Sequence, residues 1–160
     1  MKTDHIIYFL TLLGIIMWIA AAFAAPYLKH QSSVYGSLIY AIYSPTCHQI
    51  PSRCLTFYGN PLAVCVRCLG IYTGFFLGTI LFPVLRGYSA GALPRARVLI
   101  LVSIPIVIDA AGNLVSLWAS PHWLRMATGL IWGSILPFYF IPGIVDIFKK
   151  VELSDKKTLE

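Results

Sequence analysis

Charged side chains are scarce in this 160-residue chain, since only 11% of its residues are Asp, Glu, Lys or Arg and only six are acidic. A soluble domain carries about 25% charged residues, so a soluble globular fold is excluded. The sequence also lacks a phosphate-cradling glycine loop, a nucleophile elbow and a paired-carboxylate motif. The enzyme classes that depend on those motifs are therefore not indicated.

Apolar residues dominate the composition instead. They make up 58% of the chain, and the mean hydropathy is +0.78. Long apolar runs recur throughout, so the sequence predicts an all-α polytopic membrane protein, a single bundle over 1–148 with the lipid bilayer as its partner. The net charge of +6 does not indicate a nucleic-acid partner, because the basic residues flank apolar runs and act there as topology signals.

Four apolar runs are long enough to cross a hydrocarbon core of about 30 Å. They predict spans over about 6–27, 62–85, 98–118 and 123–148, with a charged tail over 149–160. Apolar rows at helical spacing predict a short amphipathic helix over 31–44, and Pro and Gly residues predict a loop over 46–61. The first run ends in Ala22-Phe23-Ala24-Ala25, which also resembles a signal-peptide cleavage site. Because this run is longer than such peptides require, a retained helix is expected.

The basic residues predict the orientation of the bundle. With four spans, both termini and the turn at 86–97 share one side of the membrane, and Lys29, Arg53, Arg67 and Arg125 lie toward the other. The first side collects the remaining eight of the 12 basic residues: Lys2, Arg86, Arg95, Arg97, Lys149, Lys150, Lys156 and Lys157. The positive-inside rule then predicts a multi-pass protein of the cell membrane with cytoplasmic termini and an extracytoplasmic loop at 46–61.

Four cysteines carry the main chemical signal. Cys65 and Cys68 form a CxxC pair, and Cys47-His48 lies 18 positions before Cys65. Two thiolates at CxxC spacing can share a metal ion, and a third thiolate with an imidazole completes a tetrahedral site. Cys47, His48, Cys65 and Cys68 are therefore the predicted metal ligands. Since neighbouring residues bind one ion awkwardly, His48 is either the fourth ligand or a group that polarises the site from outside. Zinc fits this set best, and copper as Cu(I) also accepts soft thiolates.

The same thiols support other interpretations. A CxxC pair is also a redox pair, in which the nearby Arg67 would favour a thiolate, so a membrane thiol–disulfide oxidoreductase is one alternative. An outward-facing loop lies in a compartment that permits disulfides, so the four cysteines could instead form two structural disulfides, or they could stay free and buried. Leu69 stands where a c-type haem site needs a histidine, which excludes that cofactor.

An ionisable residue, Asp109, interrupts the third span. A carboxylate in hydrocarbon is costly and usually faces the protein interior or water, so Asp109 is predicted to act as a proton carrier, a metal ligand or a substrate contact. Asn113 shares its helix face, and Arg125 opens the fourth span, which makes an Asp109–Arg125 ion pair the structural alternative. Asp109 and Arg125 are the candidate catalytic residues of a further alternative, a small transporter or lipid-handling protein of undetermined substrate. All three groups tend toward the cysteine-bearing half, which allows one convergent site.

Small residues recur at four-residue spacing on two of the predicted spans. Gly70, Gly74 and Gly78 lie on the second, and Gly129 and Gly133 on the fourth. Such stripes let helices approach closely, so they predict helix packing inside the bundle, and they would suit a homodimer equally well.

The sequence resembles the domain of unknown function 2085 family of prokaryotic membrane proteins over about residues 40–133. The matching positions are Cys47-His48-Gln49, Pro51, Arg53, Cys65, Arg67-Cys68, Gly70-Ile71-Tyr72, Gly74, Pro105, Asp109, Arg125, Thr128-Gly129 and Gly133. The family usually has serine where this chain has Cys54, so Cys54 is the cysteine least expected to be essential. It also usually has glycine where Ala110 stands and glutamine near Asn113, which puts the role of Asn113 in question. The resemblance implies the membrane fold and the site, and it carries no reaction.

Overall fold

The computed structural model describes residues 2–87 and 94–158. Its elements are α1 (Lys2–His30), α2 (Val34–Tyr43), a 3-10 turn (Pro51–Arg53), β1 (Cys54–Phe57), β2 (Asn60–Cys65), α3 (Val66–Arg86), α4 (Ala96–Leu114), α5 (His122–Ile135) and α6 (Pro137–Thr158). Part of the predicted turn at 86–97 and the last two residues of the predicted tail lie outside this description. So do the side chains of Lys2, Lys149, Lys156 and Lys157, which contribute to the predicted orientation.

Four stretches of the described chain are long and apolar enough to cross a membrane, and together with the short helix α2 they confirm the predicted all-α bundle. They are Asp4–His30, Val66–Arg86, Ala96–Leu114 and His122–Phe148. Their outward faces expose large apolar side chains such as Leu10, Leu85 and Ile100. A lipid environment accommodates those side chains at no hydrophobic cost.

The helix α1 forms one wall of the main core. Its Ala22 and Ala25 are fully buried, because small side chains let the neighbouring elements pack closely on the helix. The hydroxyl of Tyr43 donates a hydrogen bond to the carbonyl of Trp18, which ties α2 to α1. The alanine-rich stretch that resembles a cleavage site is therefore a packing face, and loss of α1 would uncover this core.

The prediction of a loop over 46–61 is wrong for its second half. From Cys54 onward the chain forms an antiparallel hairpin of β1 and β2. Its two turn residues, Tyr58 and Gly59, have φ values of 49° and 74°, as a two-residue hairpin turn requires. Leu62, Ala63 and Val64 then continue as a strand and are buried. The second membrane helix consequently begins at Val66 instead of near 62, because the apolar residues before it serve the core.

The helix α4 ends at Leu114, four residues before the predicted end of the third span. Ser116 has a φ of 58° and turns the chain back on itself. The ring of Trp118 then folds over Gly112, where an added Cβ would lie 2.1 Å from the ring. The absence of a side chain at Gly112 therefore lets the connection to α5 pack against the end of α4.

The glycine stripes join α3 to α5. A Cβ at Gly74 would lie 2.3 Å from the carbonyl oxygen of Leu130, and one at Gly133 would lie 2.1 Å from the carbonyl oxygen of Ile71. The two helices therefore touch backbone to backbone, as small-residue faces allow. Because these faces are used within the chain, the homodimer stays a prediction that would need another surface.

The fourth membrane segment consists of two helices. The helix α5 ends at Ile135, and Pro137 opens α6, where the missing N–H of proline costs nothing in a first turn. The helix α6 continues to Thr158, so the start of the predicted charged tail extends the last membrane helix.

Candidate functional site

Three thiols converge at the end of the bundle where α3 begins. The Sγ atoms of Cys47, Cys65 and Cys68 all lie within 4.8 Å of one another. Cys47 follows α2, Cys65 is the N-cap of α3, and Cys68 lies in the first turn of that helix. Cys47 is buried and the other two are half-buried. These three residues are the potential metal-ligand group found in the described part of the chain.

The backbone around the thiols favours negative charge on sulfur. The N–H of Cys65 donates a hydrogen bond to the Sγ of Cys47 at 3.1 Å, and the start of α3 contributes the positive end of its helix dipole. Hydrogen bonds from Cys47 and Cys68 lower the pKa of the Cys65 thiol below its ordinary value. The cluster therefore holds at least one thiolate readily.

Gln49 holds the Cys47 segment in place, a role that the residue pattern alone does not predict. Its side-chain amide donates to the carbonyl of Tyr40 at 2.8 Å and to that of Ala63 at 2.9 Å. One amide thus joins the end of α2 to β2, the two elements that lead to Cys47 and to Cys65. The Cys47-His48-Gln49 order, which matches the family pattern, is the sequence signal for this role.

Cys54 and His48 lie outside the three-thiol group. Cys54 is buried and stands opposite Cys65 in the hairpin, and burial raises the pKa of its thiol to about 12. His48 is exposed, so its role as the fourth ligand stays a prediction. None of the four cysteines, all of which are described, is joined in a disulfide in the structure, and the alternative of two structural disulfides stays a prediction.

Asp109 is ion-paired with Arg67, and the expected Asp109–Arg125 pair is not formed. The side chains of Asp109 and Arg67 are only 5% and 17% exposed. Asp109 also accepts hydrogen bonds from the Ser120 hydroxyl and, at 3.3 Å, from the amide of Asn113. Arg67, which the CxxC spacing predicts to favour a thiolate, is directed to α4 by its position in the first turn of α3.

Asp109, Asn113, Ser120 and Arg125 form one polar network, in which Arg125 donates hydrogen bonds to uncharged oxygens. The guanidinium of Arg125 donates to the side-chain oxygen of Asn113 and, at 2.9 Å, to the carbonyl of Ser120. Asn113 in turn donates to the Ser120 hydroxyl at 2.5 Å. The network therefore lies at the same end of the bundle as the thiols, and Arg67 links the two. The sequence does not single out Ser120, because a serine in a short connection carries no chemical signal of its own.

The three thiols and the polar network both lie in the part of the chain that matches a known protein family. A family model described as "Predicted membrane protein (DUF2085)" matches residues 47–139. An uncharacterized protein of Methanocaldococcus jannaschii is 35% identical over 150 residues, which cover 89% of this chain and 96% of that protein. An uncharacterized protein of Methanothermobacter thermautotrophicus is 39% identical over 87 residues, which cover 52% of this chain and 74% of that protein. No solved structure matches.

Proposed function

This chain belongs to the DUF2085 family of predicted membrane proteins, and we propose that it is a metal-binding membrane protein with Cys47, Cys65 and Cys68 as its ligands. The observation that carries this proposal is the convergence of three Sγ atoms within 4.8 Å of one another, from segments 18 residues apart. Zn–S bonds of about 2.3 Å in a tetrahedron put sulfur atoms about 3.8 Å apart. A small inward movement of the thiols would therefore accommodate the ion.

Zinc is the proposed metal, and Cu(I) is the second choice. Both ions bind thiolates. Zinc prefers four ligands, whereas Cu(I) can be bound by a smaller number of soft sulfur ligands. Three thiolates around zinc leave one position for water, for an external ligand or for the exposed ring of His48. The N–H of Cys65 on the Cys47 sulfur and the start of α3 would stabilise the thiolates that the metal needs.

The metal content of purified protein tests this proposal. Protein prepared under reducing, chelator-free conditions should contain about one equivalent of zinc per chain. Cys47→Ser, Cys65→Ser and Cys68→Ser should each lose it, while Cys54→Ser is the matched control and should keep it. A wild type without stoichiometric metal, or equal loss in Cys54→Ser, would contradict the proposal.

The second candidate is a thiol–disulfide oxidoreductase, because the half-buried CxxC sulfurs lie at the start of a helix and close to each other. In this reaction the thiols of Cys65 and Cys68 lose two protons and two electrons and join in a disulfide, while a substrate disulfide gains them and becomes two thiols. Cys47→Ser separates the two candidates. It should abolish metal binding but still allow Cys65 and Cys68 to cycle, as thiol trapping in intact cells would show.

We further propose that the site faces the outside of the cell membrane and that both termini are cytoplasmic. The ion pair between Arg67 and Asp109 puts the start of α3 and the end of α4 at one end of the bundle. That end carries four of the 12 basic residues, and the richer side is normally cytoplasmic. The site would then lie where external metal or external thiols can reach it.

A further inference from the structure

A cleft of about 440 Å³ lies between the 3-10 turn and the connection from α4 to α5. Arg53 enters it from the 3-10 turn, and His122 and Arg125 enter it from α5. Asn113 and Ser120 of the polar network also line it, and none of its described lining residues is acidic. The cleft is distinct from the thiol group, since no cysteine lines it.

Carboxylates of the protein balance only part of the positive charge around the cleft. Asp109 is the only acidic residue between residues 5 and 145, and it is already paired with Arg67. Arg125 is only 6% exposed, and its guanidinium donates to the neutral oxygens of Ser120 and Asn113. Neutral oxygens satisfy hydrogen bonds without offsetting charge, and the single carboxylate of Asp109 acts on both Arg67 and Arg125. Part of this buried positive charge is therefore left without a counter-charge, which is costly. An anion in the cleft would offset that cost.

The start of α5 adds to the positive potential. The helix begins at His122, a residue of the cleft, and its N-cap is Pro121 with no side-chain cap. The first N–H groups of a helix have no partner within it and carry the positive end of the helix dipole. The helix terminus and the two arginines therefore act on the same space, which is the arrangement that binds phosphate groups.

Two exposed tryptophans indicate that the cleft lies at the depth of the lipid headgroups. Trp118 lines the cleft, and Trp123 lies one residue after His122; their side chains are 45% and 70% exposed. Exposed tryptophans are typical of the membrane–water interface. An anion that reaches the cleft can therefore come from the lipid headgroups or from the aqueous phase.

From these observations we infer that the cleft binds a phosphate group, held by Arg53, Arg125 and the first turn of α5. Guanidinium groups match phosphate oxygens through paired hydrogen bonds. The phosphate is either that of an anionic phospholipid headgroup or free inorganic phosphate. This binding does not depend on the metal proposed for the thiols.

Titrations of the purified full-length protein in detergent test the inference, with tryptophan fluorescence as the signal. One arm uses inorganic phosphate at constant ionic strength. The other uses short-chain phosphatidylglycerol, with phosphatidylcholine of equal chain length as the uncharged reference. Saturable binding in the first arm identifies a free anion, and saturable binding in the second arm alone identifies a headgroup.

Variants assign the binding to the cleft. Arg53→Gln should weaken it by about tenfold or more, and Arg125→Lys should weaken it as well, because it keeps the charge but loses the paired donors. Arg97→Gln removes the same charge from the opposite end of the bundle and should bind like the wild type. Absence of saturable binding in both arms, or equal weakening in Arg97→Gln, would overturn the inference. Unchanged metal content in Arg53→Gln would separate this site from the thiols.

Discussion

The ion pair between Arg67 and Asp109 joins the cysteine-bearing start of α3 to the end of α4. Arg67 lies between Cys65 and Cys68, so this contact limits how the first turn of α3 can move. Both side chains are largely buried. Removal of one partner of a buried ion pair destabilises a protein more than replacement of both partners by apolar residues. We therefore interpret Arg67 and Asp109 as positioning residues for the CxxC segment.

Replacement of Asp109 by asparagine should destabilise the protein. The side chain keeps its size, but the buried charge of Arg67 loses its counter-charge, and such a loss costs about 3–5 kcal/mol. The free energy of unfolding in mixed micelles measures this effect. The double variant Arg67→Met, Asp109→Asn should recover much of the loss, and additive losses would show that the pair is not coupled.

Replacement of Gly74 by alanine should separate α3 from α5. The new Cβ would lie 2.3 Å from the carbonyl oxygen of Leu130, and a backbone atom cannot move aside cheaply. We expect a loss of about 2 kcal/mol or more in unfolding free energy. Gly14→Ala is the matched control, because Gly14 is also in a membrane helix and has no neighbour within 4 Å of the new atom. An equal effect of both substitutions would refute close packing at Gly74.

Replacement of Gln49 by alanine should weaken metal binding without removing a ligand. The carbonyls of Tyr40 and Ala63 would lose their shared donor, and the Cys47 segment would become looser. Loss of a group that orients a ligand typically costs 10–100-fold in affinity. Competition with a chelator of known zinc affinity measures the change. Gln31→Ala, which removes an exposed amide from the hydrogen bond to Tyr27, should have no effect.

Labelling of intact cells should show which end of the bundle faces outward. Ser44 and Arg97 are both exposed, and the proposed topology puts them on opposite sides of the membrane. A membrane-impermeant maleimide should label Ser44→Cys above the level of the wild type. It should label Arg97→Cys above that level only after the membrane is permeabilised. The reverse pattern would place the termini outside.

The membrane class, the number of spans and the short helix α2 could be predicted because they depend on local composition. A span requires about 20 apolar residues whatever its neighbours are, and an amphipathic helix shows its period within three turns. The hairpin after Pro51 could not be predicted in the same way. Its Gly59 and Asn60 indicate a turn, but the pairing of Cys54 with Cys65 joins residues that the sequence separates.

The chain itself determined the candidate site only as a set of residues. The CxxC pair with Cys47 upstream indicated shared chemistry through its spacing, and Asp109 stood out because a carboxylate in hydrocarbon needs a partner. Tertiary structure decided which partner it takes. Arg67 and Arg125 both lie on helices at the end of the bundle where Asp109 lies. Which of them pairs with Asp109 depends on how α3, α4 and α5 are rotated about their axes. The glycine contacts set the packing of α3 on α5, and no local pattern encodes that rotation. The same packing leaves Arg125 without a direct ion pair among the described residues and creates the cleft beside it.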